Sequence, residues 1–157
     1  MLFKKSKKED VADKMELLYL ENVRIGCKAD TKENVIRAVG QMLVDSGYVN
    51  PSYVDAMVKR EETFSTFMGN ELALPHGVEE AKKEVKASGI AVMVFPEGTD
   101  WGGELAKVVV GIAGVGEEHL QILSAIAEVA LEEDGMQRLI SGSAQQVYEM
   151  LKGGNAA

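Results

Sequence analysis

The chain has 157 residues, 46% hydrophobic and 27% charged, a balance that excludes a disordered polypeptide and suits one globular domain with a core of its own. Its net charge of −8, from 25 acidic and 17 basic residues, disfavours nucleic acid as a partner and suits a basic protein surface. The one cysteine, Cys27, excludes an intrachain disulfide and a paired-cysteine zinc or redox motif, and reads as a small half-buried hydrophobe.

Residues 1–10, with Lys4, Lys5, Lys7 and Lys8, read as a basic, disordered tail ahead of a single domain over 11–157. A weak approach of that tail to an anionic membrane is the alternative. Met1-Leu2-Phe3 leads into those lysines instead of an apolar signal core, and the longest apolar runs fall far short of a membrane span. The sequence therefore predicts a cytoplasmic protein.

Lys14 to Gly26 enters the fold through a turn and a short strand. Thr31 then caps a helix whose apolar positions Val35, Ile36, Val39, Met42 and Leu43 form one stripe, ending at Gly47. Asn50-Pro51 predicts a second helix with proline at its first helical position, Val54, Met57 and Val58 facing inward, and Lys59, Arg60, Glu61 and Glu62 closing it. Thr63 to Gly69 connects this helix to the turn Leu74-Pro75-His76-Gly77. There Pro75 fixes its own φ and biases Leu74 towards extension, while Gly77 permits backbone geometry that other residues resist.

Ile90 to Phe95 is a short, largely apolar run that predicts a buried strand, ended by a turn at Pro96-Glu97-Gly98. Ala106 to Ala113 predicts another. Gly114-Val115-Gly116 loosens the backbone before a helix from about Glu117, with Leu120, Ile122, Leu123, Ile126, Ala127 and Ala130 on its apolar face and His119 in its first turn. Two shorter helices follow, the last from near Ser143 to Gly153-Gly154. Strands interspersed with helices predict an α/β sandwich with helices on both faces of the sheet.

Gly111, Gly114 and Gly116 are spaced GxxGxG instead of the dinucleotide-binding GxGxxG, so they read as a tight turn that presents a helix N-terminus. The chain has no Walker A, GxSxG or two-histidine zinc motif. What remains is His76, His119 and Arg60. An imidazole with an ordinary pKa of about 6.5 is largely neutral and nucleophilic near pH 7. Two imidazoles and a guanidinium make a workable phosphoryl site, one ring accepting, the other donating a hydrogen bond, and the arginine offering a fork to the oxygens. Each also has a plainer reading: a surface histidine in a turn, a histidine bonded locally at a helix start, and an arginine in a solvated ion-pair surface with Glu61 and Glu62. Spacing alone does not bring the three together.

The segments Ser65-Thr66-Phe67-Met68-Gly69-Asn70, Leu72-Ala73-Leu74-Pro75-His76-Gly77, Val108-Val109-Val110-Gly111-Ile112-Ala113-Gly114 and Glu118-His119-Leu120 resemble the enzyme IIA component of the bacterial phosphotransferase system, mannitol/fructose class, with the mannitol branch nearest. Gly47-Tyr48-Val49, Ala56-Met57-Val58-Lys59-Arg60-Glu61 and Pro96-Glu97-Gly98 extend the resemblance from about Glu21 to Leu151. It implies a mixed sheet flanked by helices and a phosphorelay that needs no nucleotide, metal or organic cofactor. The histidine matching His76 would take a phosphoryl group from the phosphohistidine of the carrier protein HPr, as a tele-phosphohistidine, and pass it to a cysteine of enzyme IIB. His119 would lie beside it and support the group, with Arg60 nearby to stabilise charge. Cys27 is not that relay cysteine, which belongs to the IIB domain. Mannitol-type members commonly carry threonine after the His-Gly pair, whereas this chain has Val78, so a hydroxyl contact to the phosphoryl group is lost there. The alternatives are a regulatory relative that signals phosphorylation state to a protein partner, and a small-molecule binder that is not phosphorylated.

Overall fold

A computed structural model describes residues 15–153; the predicted basic tail lies outside them. The elements in chain order are β1 (Val23–Arg24), α1 (Lys32–Asp45), α2 (Ser52–Thr63), β2 (Phe67–Gly69), β3 (Leu72–Ala73), β4 (Gly89–Asp100), β5 (Leu105–Ala113), α3 (Glu118–Leu131), α4 (Gly135–Ser141) and α5 (Ala144–Leu151). The strands form one sheet in the order β1-β4-β5-β3-β2. It is mixed: β1 with β4 and β3 with β5 run parallel, while β4 with β5 and β2 with β3 run antiparallel.

Because side chains alternate across a strand, β4 and β5 serve two cores. Ala91, Met93, Phe95 and Val109 pack towards α1 and α2 with Val35, Val39, Leu43 and Met57. Ile90, Val92, Val94, Val108, Val110 and Ile112 pack on the other face with Ile122 and Ile126 of α3, Leu139 of α4 and Val147 and Leu151 of α5. Each such fully buried aliphatic side chain contributes about 1.5–3 kcal/mol relative to exposure. The α/β sandwich with helices on both faces is therefore present. No helix of the described residues is long and apolar enough to cross a membrane.

The helix signals act as their chemistry requires. The Thr31 hydroxyl accepts from the Asn34 amide, and Ser143 with Gln146 forms a reciprocal capping box. Pro51 sits one residue earlier than expected, as the N-cap of α2. Val58 is half-buried at the edge of its core.

Two expectations are corrected. The chain does not turn away at Pro96: β4 continues to Asp100, with the pairing to β5 interrupted between Val94 and Thr99. Proline has no N–H for the ladder, and the interruption leaves Pro96 and Glu97 exposed on a bulge before pairing resumes. Leu120 is also not a core residue, being 56% exposed. The buried stripe of α3 runs through Ile122, Ile126 and Ala130 instead. The connection after α2 contains β2 and β3, joined at Asn70 and Glu71, both with left-handed φ of 52° and 67°, the backbone of a tight hairpin.

Candidate active site

The site is built at the carboxyl ends of β3 and β5. Their parallel register pairs Leu72 with Val108 and Ala73 with Val109, and it carries on to a bridge between His76 and Ile112. The Ile112 amide donates to the Pro75 carbonyl at 3.0 Å. The proline turn is thus laid along β5, and His76 comes level with the end of that strand, where Gly114 to Gly116 lead into α3. Ligand sites in α/β sheets form at such strand ends.

His76 is half-buried, and its Nδ1 lies 2.8 Å from the Leu74 carbonyl oxygen. A carbonyl only accepts, so Nδ1 carries the proton and Nε2 keeps its lone pair. Burial depresses the His76 pKa; the bond to Leu74 opposes this, while the charges of Arg60 and His119 add to the depression and Glu61 works against it. The ring is therefore neutral and nucleophilic at pH 7.

His119 projects from the first turn of α3, its ring centroid 6.2 Å from that of His76 and the planes inclined by 38°. Its Nδ1 is 3.5 Å from the Gly116 carbonyl, long for a hydrogen bond. Its position comes instead from the backbone around it. A Cβ on Gly114 would collide with the Cβ of His119, so only glycine lets the strand end approach the helix this closely. The Ser88 hydroxyl accepts from the Val115 amide at 2.9 Å and donates to the Glu118 carboxylate, tying the loop to the start of β4.

Arg60 reaches the site from the last turn of α2. Its Nη1 donates to the Phe64 carbonyl at 2.9 Å, and its guanidinium carbon stands 5.7 Å from the centre of the Phe64 ring. His76, His119 and Arg60 therefore converge, lining a cleft of about 270 Å³ with Tyr53, Val78 and Lys82. Val78 faces this cleft, and its side chain makes no capping bond to the helical turn Glu79–Glu84. Arg60 does not share a solvated ion-pair surface with its neighbour: Glu61 is only 6% exposed. Cys27 lies elsewhere, its amide bonded to the Val94 carbonyl. Among the described residues no group of three or more His, Cys, Asp or Glu is placed to hold a metal ion.

Tyr53 and Lys82 escaped the sequence reading. The Tyr53 hydroxyl donates to the Ile112 carbonyl at 2.8 Å and accepts from the Gly77 amide at 2.9 Å, and burial pushes its pKa up to about 12. A Cβ on Gly77 would come within 2.5 Å of the Tyr53 ring. Gly77 is thus required by the approach of that ring, and not by a left-handed backbone as its place after the proline turn suggests. The available signal was helical spacing: Tyr53, Met57 and Arg60 share one face of α2, leading from core to cleft. Lys82, whose Nζ is 3.3 Å from the Gly116 carbonyl, had no signal to distinguish it from Lys83.

Residues 16–154 match the family model for the phosphoenolpyruvate-dependent sugar phosphotransferase system, EIIA 2. The chain is 49% identical over 136 residues to the mannitol-specific phosphotransferase enzyme IIA component of Halalkalibacterium halodurans, covering 86% of this chain and 94% of that one. It is 50% identical over 133 residues to the protein of that name from Bacillus subtilis, covering 84% and 93%. Among solved structures it is similar to IIA in the complex of enzyme IIA and phosphorylated enzyme IIB for mannitol from Escherichia coli, with a TM-score of 0.80, 39% identity, and coverage of 87% of this chain and 99% of that one. The crystal structure of IIA mannitol from Escherichia coli gives a TM-score of 0.78 at 39% identity, covering 85% and 97%.

Proposed function

We propose that this chain, which belongs to the phosphoenolpyruvate-dependent sugar phosphotransferase system EIIA 2 family and is a phosphotransferase component of that system, relays a phosphoryl group through His76 from phospho-HPr to a cysteine of enzyme IIB. The observation that carries this reading is the 2.8 Å bond from His76 Nδ1 to the Leu74 carbonyl. It leaves Nε2 as the nitrogen with a free lone pair and so supports a tele-phosphohistidine as the intermediate.

In the forward step the Nε2 lone pair forms a bond to phosphorus as the bond to the HPr histidine nitrogen breaks, and that imidazole leaves with its electron pair. Phosphoryl transfer of this kind depends mainly on in-line placement and on charge stabilisation of the oxygens. His119 supplies a ring N–H to one oxygen, and Arg60 a positive charge held in place by Phe64. The donation step reverses the geometry, the IIB thiolate attacking phosphorus and His76 leaving as the neutral ring. The step requires no cofactor. Mannitol relatives at 49% and 50% identity favour mannitol, or a related sugar alcohol, as the solute whose uptake the relay serves. The chain would act as a single cytoplasmic domain, meeting its two partners in turn at the same cleft.

Incubation with phosphoenolpyruvate, enzyme I and HPr is expected to yield an acid-labile, base-stable phosphoprotein. The label is expected to vanish in His76→Ala. Retention of label in that variant would sink the assignment.

A further inference from the structure

Beside Arg60 stands a carboxylate with an unusual number of partners. Glu61 is 6% exposed, yet Oε2 accepts from the Thr66 amide at 2.9 Å and from Trp101 Nε1 at 3.0 Å. Oε1 accepts from the Thr66 hydroxyl at 2.5 Å, and the Lys32 ammonium lies 3.1 Å from Oε2. Four donors, from α1, the connection after β4 and the segment after α2, thus converge on one side chain.

Thr66 is held at its amide and its hydroxyl by Glu61, and its own carbonyl accepts from the Leu74 amide at 3.0 Å. The carbonyl of that same Leu74 orients the His76 ring. Two residues before Thr66, the Phe64 carbonyl receives the Arg60 guanidinium. Both reactive ends therefore hang from the segment 64–66, and Glu61 is the group that clamps it to the body of the protein. A clamp with no role beyond packing is better made of apolar side chains, since burying an ion pair costs more desolvation than it generally returns.

We propose that Glu61 is the positioning residue of this site, its buried carboxylate setting the 64–66 segment and, through it, both the tautomer and aim of His76 and the place of Arg60. The proposal rests on the reading of His76 as phosphoryl acceptor. Burial alone pushes the Glu61 carboxyl up, but the Thr66 hydrogen bonds and the Lys32 ammonium outweigh it and hold the pKa below the usual carboxylate value. The group is accordingly ionised at pH 7 and accepts from every side.

The test is Glu61→Gln in the full chain, which keeps the shape but turns one acceptor into a donor facing Thr66 or Trp101. Two readouts are taken: the ¹⁵N imidazole spectrum of His76, and the rate of His76 phosphorylation by phospho-HPr across HPr concentrations. Expected are loss of the pure Nδ1–H tautomer and a maximal rate lower by roughly 10- to 100-fold, with little change in the half-saturating HPr concentration. A folded variant with the wild-type tautomer and wild-type maximal rate overturns the proposal. Should Glu61→Gln fail to fold, Trp101→Phe removes one donor while keeping an aromatic ring, and a lower maximal rate with a mixed tautomer is expected; a wild-type rate together with the wild-type tautomer in that variant overturns the proposal. Failure of the wild-type protein to take label would instead sink the phosphorelay, and the tautomer comparison would still decide the role of Glu61.

Discussion

The rings of His76 and His119 stand 6.2 Å apart, centroid to centroid, at the ends of neighbouring parts of one sheet. His76 arrives on the chain continuing β3, and His119 on the helix that follows β5, so the parallel pairing of those two strands sets the separation of the rings. The relation is electrostatic as well as geometric, since a positive charge on His119 works against protonation of His76.

His119→Ala is expected to keep the nucleophile and lose the oxygen-stabilising donor. Labelling of His76 should persist but slow by about 10²-fold, the usual scale for removing one preorganised donor. Onward transfer to IIB should slow as well. Rapid-quench measurement of both half-reactions checks this, and wild-type rates in both would remove His119 from the mechanism.

Tyr53→Phe removes one oxygen that joins α2, the end of β5 and the residue after His76. The Gly77 amide loses its acceptor and the Ile112 carbonyl loses a donor in a buried setting, which is expected to lower unfolding free energy by about 1–3 kcal/mol. Urea denaturation should show the midpoint falling without a change in slope. Phosphorylation should slow as well, because Gly77 is the direct neighbour of His76. An unchanged midpoint would mean that water replaces the hydroxyl at both places.

The pH response follows from the direction of the His76 shift. Burial, aided by the charges of Arg60 and His119, lowers its folded pKa below the ordinary value of about 6.5. The unfolded chain then binds the proton more readily, so this contribution to stability is complete above about pH 6.5 and is lost as the pH falls through the folded pKa. NMR titration should place the midpoint of His76 below the ordinary histidine value. Unfolding free energy should fall between pH 7 and the folded pKa more steeply in the wild type than in His76→Gln. A midpoint at or above the ordinary value would contradict the depression.

Local chemistry decided a great deal before any folding was considered. Thr31 and Ser143 cap helices because their hydroxyls satisfy free amides wherever those helices lie, and the spacing of Val35, Ile36, Val39, Met42 and Leu43 makes one buried face whatever the partner. The alternation in β4 and β5 similarly commits them to a sheet covered on both sides. The candidate residues His76, His119 and Arg60 could be named from residue type and motif. Local rules misjudged Pro96, because a bulge in the pairing with β5 absorbs a residue that would otherwise end the strand. They also missed the short β2 and β3, which depend on pairing with partners far along the chain.

The sequence by itself determined the helices, the two long apolar strands and the candidate residues of the site, because each depends on spacing and side-chain chemistry within a few turns of chain. Only the tertiary structure decided that His76 and His119 share a cleft, that Tyr53 locks the turn beside them, and that Glu61 is a buried anchor and not a surface partner of Arg60. Those outcomes rest on register: one strand pairing brings His76 level with Ile112, and a hydrogen bond between Trp101 and Glu61 joins residues far apart in the chain. Such contacts are fixed by which surfaces bury together, a property of the whole packed chain that no local window contains.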